Sequence, residues 1–393
     1  MTGAGPAPAD VPRLSPLEVA TSEILGEELE PAALPRPSPT TTARAALEEV
    51  VMEGLLRPPC VVAFSGGRDS SAVLGVATHV ARREGLPLPV PVTYQWPGLI
   101  ETDEGEWQEM VVRHLRLPEW CRLRLDDELD LLGPLATRVL ARYGLMWPPT
   151  SHMQLPLVEQ AKGGSLLTGE GGDELFGPHR SHALAAVLGH GVRPPPRAVR
   201  KSLLAVVPRR PRTRVLAWRL RPKYAWLRPE PSRQLGAARA AVASREPVRR
   251  DRFLAWHLRR RRERDVWEWW GRTLAAEHDV SYREPLLEPA FVGALAAEVG
   301  WRGYADRTSA MLHLFGDLLP TPLIGRTSKA GFGDVYFHRH ARSFCRQWRG
   351  DGLDPAMVDL DGLRATWNSA KPPPATWTLL QAAWLVNRAH LSS

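Results

Sequence analysis

The chain has 393 residues, 44% apolar and 24% charged, which is enough to bury a sizeable core and excludes a disordered or fibrous protein. Three scattered cysteines, Cys60, Cys121 and Cys345, exclude a disulfide framework or a C-x-x-C metal site and point to a reducing, cytoplasmic setting. The net charge of +8 fits a nucleic-acid partner, an acidic peptide or an arginine-rich composition.

Residues 1–40 are rich in Pro, Ala and Thr without a sustained period, and read as a flexible lead-in with no secretory layout. From Thr41, apolar residues at Leu47, Val50, Val51 and Leu55 recur at helical spacing behind a threonine cap. CVVAF (60–64) reads as a buried strand, and the helix expected over residues 71–84 is stopped by Gly85. Further strands are expected at 90–96, 121–125 and 164–169, with helices around 104–116 and 131–144. This alternation predicts a doubly wound, parallel α/β sheet over 41–190. Beyond about His190 the strand signals fade, and basic, Pro-punctuated stretches predict a mainly helical region over 191–393. No apolar run reaches the ~20 residues of a membrane span, so no membrane partner is expected. Most of the fifteen tryptophans are expected in the core. Two aromatic stretches, 224–231 and 265–272, read first as helical core and second as walls for a peptide.

Chemistry concentrates in two glycine-rich turns. The first, SGGRDSS (Ser65–Ser71), lies between a strand and a helix. Gly66 and Gly67 let the backbone close on a phosphate chain, the hydroxyls of Ser65, Ser70 and Ser71 add donors, and the helix N-terminus favours an anion. The turn lacks the lysine of the common nucleotide loop and carries Asp69 instead, which a Mg²⁺ between carboxylate and polyphosphate would explain. Such an ion needs a second carboxylate. The second turn, SLLTGEGGDELFG (Ser165–Gly177), supplies Glu170, Asp173 and Glu174, a crowding of acids that is costly without a cation or proton. Its glycines, Gly169, Gly171 and Gly172, are expected to let the loop approach a nucleotide closely.

The first turn resembles the PP-loop of the HUP-like ATP pyrophosphatases, with Arg68 standing where an apolar residue is usual. LLTGEGGDELFG resembles the second signature of the asparagine synthetase family, and TDE (102–104), REPLLEPAFV (283–292) and LLPTPLIGRTSKAGF (318–332) resemble further pieces of it. The resemblance runs from about Thr41 to the C-terminus. It implies ATP and Mg²⁺ as cofactors, with Asp69 and Asp173 jointly holding the ion and Gly169 touching the nucleotide. It also implies Glu170 as general base for an attacking amine and Lys329 as the cation that stabilises the activated intermediate or departing pyrophosphate.

Two departures bear on the substrate. The N-terminal cysteine and glutaminase domain of asparagine synthetases have no counterpart here, so glutamine is not an expected nitrogen source. Ser281 stands at the family's acidic position before R-x-P, so recognition of free aspartate is not implied. The expected reaction adenylates a carboxylate and joins it to an amine, releasing AMP and pyrophosphate. Residues 358–389 and the Trp-rich middle resemble the lasso-peptide macrolactam cyclases, which implies a precursor peptide as substrate and a leader peptidase or leader-binding protein as partner. An ammonia-dependent asparagine synthetase or another small-molecule amide synthetase is the alternative. A tRNA-modifying PP-loop enzyme ranks lower, because the basic runs lack aromatic interleaving at a recognisable nucleic-acid fold.

Overall fold

A computed structural model describes residues 11–27, 34, 35, 37, 38, 40–177, 196, 207–260, 262–328 and 330–392. Five parallel strands, β1 (Cys60–Ala63), β2 (Val90–Gln95), β3 (Cys121–Arg124), β4 (Ser165–Leu167) and β5 (Ser281–Arg283), form one sheet in the order β3-β2-β1-β4-β5. The chain builds outward from β1 on one side and then crosses to β4 and β5 on the other. The order therefore reverses between β1 and β4, whose register pairs Val61 with Leu166.

The described helices, in chain order, are α1 (Pro16–Thr21), α2 (Ala43–Leu55), α3 (Arg68–Glu84), α4 (Gly105–His114), α5 (Pro134–Tyr143), α6 (Leu155–Gln160) and α7 (Gly172–Phe176). They continue with α8 (Arg209–Arg219), α9 (Pro229–Arg245), α10 (Arg250–Arg260), α11 (Arg262–Ala276), α12 (Pro289–Val299) and α13 (Arg307–Phe315). The last are α14 (Thr321–Ile324), α15 (Gly333–Tyr336), α16 (Arg339–Gln347), α17 (Leu360–Trp367) and α18 (Trp377–Ser392). Among the described residues, no helix is long and apolar enough to cross a membrane.

Side chains alternate across each strand, so the sheet has two apolar faces. Val62 and Leu167 pack with Leu47 and Val51 of α2, Val73 and Val76 of α3 and Phe291 of α12. Val61, Val92, Leu166 and Tyr282 pack on the opposite face with Val158 of α6 and Ala275 of α11. A third apolar cluster lies away from the sheet and is built on tryptophan: Trp147, Trp226, Trp270, Trp348, Trp367 and Trp377.

The structure departs from the sequence expectations in three places. β5 lies inside the region expected to be helical and completes the sheet edge beside β4 through Leu166 and Tyr282. Helix α3 begins at Arg68, with Gly67 as an extended N-cap, so Asp69, Ser70 and Ser71 belong to its first turns and not to the loop before it. Part of the expected lead-in is packed: Ser15 and Glu18 form a capping box at the start of α1. Ala20 and Ile24 enter the tryptophan-rich core. The indole N–H groups of Trp226 and Trp147 donate to the carbonyls of Ala20 and Ser22, both at 3.1 Å.

Candidate active site

A cleft of about 430 Å³ opens beyond the carboxyl ends of β1 and β4, at the point where the strand order reverses. The turn after β1 forms one wall. Gly66 takes φ +82°, and a Cβ there would lie 2.8 Å from Gln108 Cγ, so glycine is required for both conformation and space. Ser65 and Ser70 Oγ lie 3.1 Å apart, and Gly67, Arg68 and Asp69 line the cleft at the N-terminus of α3. That terminus leaves backbone N–H groups without helical partners, facing the space an anion would fill. Ser71 does not join them: it is fully buried and its Oγ has no partner.

The turn after β4 packs directly on this wall. A Cβ at Gly169 would lie 2.6 Å from the Ser70 nitrogen, and one at Gly172 would lie 2.1 Å from Asp69 Cγ. Gly171, at φ +95°, faces Leu287 in the same way, at 2.3 Å. The missing side chains therefore bring the two loops together. That space, expected from the sequence to admit a nucleotide, is taken up by the packing of the protein itself. Gly169, Glu170, Gly171, Gly172, Asp173 and Glu174 all line the cleft.

Asp69 and Asp173 are linked through a third residue. Arg307, the first residue of α13, bonds both carboxylates: Nη2 donates to Asp69 Oδ2 at 2.5 Å and Nη1 to Asp173 Oδ1. Burial pushes the Asp69 carboxyl up from its ordinary value, and the Arg307 guanidinium pulls it down. Asp69 Oδ1 is buried without a partner. Two hard oxygen donors close enough to share one cation, one of them with an unsatisfied oxygen, fit Mg²⁺. Among the described residues no group of three His, Cys, Asp or Glu is arranged to hold an ion, so phosphate oxygens would have to complete the shell, as is usual for this ion.

Glu170 projects into the cleft, where its side chain meets solvent, yet protein encloses it on the other sides. That burial pushes its carboxyl up to about 8, and the neighbouring carboxylates of Glu284 and Glu174 add to the effect. Glu284 escaped the sequence reasoning, which noted only the missing acid at Ser281. It is buried, with Trp267 Nε1 and Tyr282 Oη donating to its Oε1 at 2.8 and 2.7 Å and Arg264 pairing with Oε2. Gln154 Nε2 extends this network to Tyr282 Oη at 3.3 Å. Trp267, from the second aromatic stretch, is thus a cleft wall, whereas Trp226 and Trp270 are core.

Opposite, Arg326 fastens the loop after α14 to the first turn. It is buried, donates to Gly66 O at 3.2 Å and to Glu104 Oε1 at 2.5 Å, and Ala330 N donates to the same carboxylate oxygen at 2.8 Å. Lys329 lies outside the described residues; Ser328 and Ala330 line the cleft. Arg68 lines it too, with Nη1 3.5 Å from Ile324 O. The remaining wall is aromatic, with Trp96 between Tyr94 and Phe332 at ring separations of 5.8 and 5.7 Å and Tyr336 beside them.

Phosphate-facing backbone, paired aspartates and a carboxylate poised to take a proton can together activate an acid with a nucleoside triphosphate and accept a proton from a nucleophile. A family model described as asparagine synthase matches residues 42–387. No curated protein matches the chain.

Proposed function

We infer that this chain, which belongs to the asparagine synthase family of ATP-dependent amide-forming ligases, acts on a peptide, activating a carboxylate and closing it onto an amine of the same molecule as a macrolactam. In the first half-reaction a carboxylate oxygen attacks the α-phosphorus of ATP, and the bond to pyrophosphate breaks. In the second, the amine attacks the acyl carbon, its proton passes to Glu170, and the bond to AMP breaks as the amide forms. Asp69 and Asp173 would hold Mg²⁺, which would supply charge neutralisation for the polyphosphate. The N-terminus of α3 orients the phosphates, and Lys329 is assigned to charge stabilisation as pyrophosphate leaves. Holding both reacting groups in one chain replaces a bimolecular encounter with a high effective molarity.

The observation that carries the peptide assignment is the character of the cleft away from the phosphate loops. Tyr94, Trp96, Met153, Trp267, Phe332 and Tyr336 line it there. The described cations of the lining, Arg68, Arg307 and Arg326, all sit at the phosphate end. A free amino acid brings an α-carboxylate that needs a cation or a set of donors. A side-chain carboxylate within a peptide brings amides and side chains that suit an aromatic wall. A precursor peptide, with a leader peptidase or leader-binding protein, is the corresponding partner set.

The test compares substrates. Purified protein is given ATP and Mg²⁺ with either aspartate and ammonia or a synthetic linear peptide carrying a free N-terminal amine and an Asp or Glu side chain, and AMP and product masses are followed. AMP formation with loss of one water from the peptide is expected. Efficient asparagine formation with an inert peptide would sink the peptide assignment and leave the family chemistry standing.

A further inference from the structure

We propose that Arg307 is a cation gate on the metal site: its guanidinium occupies the place between Asp69 and Asp173 until a divalent ion arriving with a polyphosphate displaces it. The proposal rests on the assignment of those two aspartates to the ion. Among the described residues, both hydrogen bonds of the Arg307 side chain go to these carboxylates, and its buried Nε has no partner. Among the described residues, no other bond of this side chain would survive release from the acids. Its position adds to this, because Arg307 opens α13 at the end where the helix dipole disfavours a cation. The carboxylates hold it there against its own helix.

Two acids brought this close repel unless a positive charge lies between them. The guanidinium meets that need with a fork that spans both carboxylates, so the cleft can form before any metal binds. The same contact makes an ion compete for Asp69 Oδ2 and Asp173 Oδ1. An ion alone offers little advantage, whereas an ion carrying phosphate oxygens brings ligands of its own and a negative charge for the released arginine to face. Room for that movement exists, since Arg307 itself lines the cleft of about 430 Å³ that the phosphate loops open onto. Metal loading is therefore tied to polyphosphate, and the free enzyme is protected from adventitious cations.

The experiment uses the full chain without any acyl substrate and reads Mn²⁺ binding by electron paramagnetic resonance, alone and with pyrophosphate. Wild type is expected to bind Mn²⁺ weakly alone and much more tightly with pyrophosphate. Arg307→Met should bind Mn²⁺ alone roughly tenfold or more tightly than wild type, the scale of a lost charge-assisted contact, and should depend less on pyrophosphate. Arg307→Lys, which reaches one carboxylate but cannot span both, should fall between and carries the test if the methionine variant does not fold. Unchanged or weaker Mn²⁺ affinity in the folded variants would overturn the gate, with the metal assignment intact if Asp69→Asn still abolishes binding. Binding indifferent to Asp69→Asn would overturn both.

Discussion

Gly172 rests so closely on the carboxylate of Asp69 that a Cβ there would lie 2.1 Å from Asp69 Cγ. A single methyl group can therefore break the site without touching a charged residue. Gly172→Ala is expected to push Asp69 off its position and to lower ATP–pyrophosphate exchange towards the level of Asp69→Asn or Asp173→Asn, each of which removes a charge from the proposed ion site. Far-UV circular dichroism should show all three folded. Near-normal exchange in the two asparagine variants would remove the magnesium assignment.

Glu170 serves only the second half-reaction in this scheme. Glu170→Gln should still adenylate the substrate while amide formation falls by roughly 10²- to 10⁴-fold, the usual worth of a general base. Lys329→Ala should impair adenylation itself. Quench-flow with mass spectrometry separates the two: acyl-adenylate building up in the lysine variant and absent from the glutamate variant would reverse the roles.

The raised Glu170 carboxyl predicts a pH signature. A base that ionises near pH 8 should give an amide-forming rate that rises through that region. Glu284→Gln removes a like charge and one of the two carboxylates that pair with Arg264, leaving Glu268 as the other, so both changes draw Glu170 down. The acid limb of the rate should move to lower pH relative to wild type with the same peptide. An unmoved limb would detach Glu284 from Glu170.

The same group makes a stability prediction. Its folded value of about 8 lies above the ordinary 4.5, so the protonated form is favoured by folding. The associated stability is present below pH 4.5 and is lost as pH rises to 8. Glu170→Gln abolishes that dependence, and its melting temperature should gain on wild type progressively between those limits. A constant difference across the range would show that the carboxyl does not titrate there.

Arg326 and Glu104 are both buried and paired, so removing one partner leaves an uncompensated charge. Arg326→Ala should cost about 3–5 kcal/mol of stability, read by urea denaturation. It should also weaken ATP binding, because Gly66 O loses its donor. A cost below 1 kcal/mol would mean the pair is not the fastening described.

Strands β1, β2 and β4 were legible because largely apolar runs stood between Gly, Pro and helical periods, and β3 because Cys121 and Leu123 alternate with arginines; those signals are local. β5 was not, since a three-residue strand has no period and takes its form from pairing with β4. The two glycine turns announced Asp69, Glu170 and Asp173 through crowded acids and absent side chains. They did not reveal Arg307, whose partners lie 134 and 238 residues away. Glu284 was hidden similarly: its place behind the cleft wall depends on Trp267 and Arg264 of α11. Helix α1 carried a capping box in plain view, but a six-residue helix is stable only against the core it joins.

Helix α1 also determines where the gene can be shortened. A boundary at residue 40 looks safe in a stretch rich in Pro and Ala, yet it would strip Ala20 and Ile24 from the tryptophan cluster. It would also leave the buried indoles of Trp226 and Trp147 with no carbonyl to receive their protons. A trimmed protein would expose aromatic surface and aggregate, and because Trp147 packs against Trp267 of the cleft wall, the damage would reach the site as well. Expression trials should begin no later than Val11.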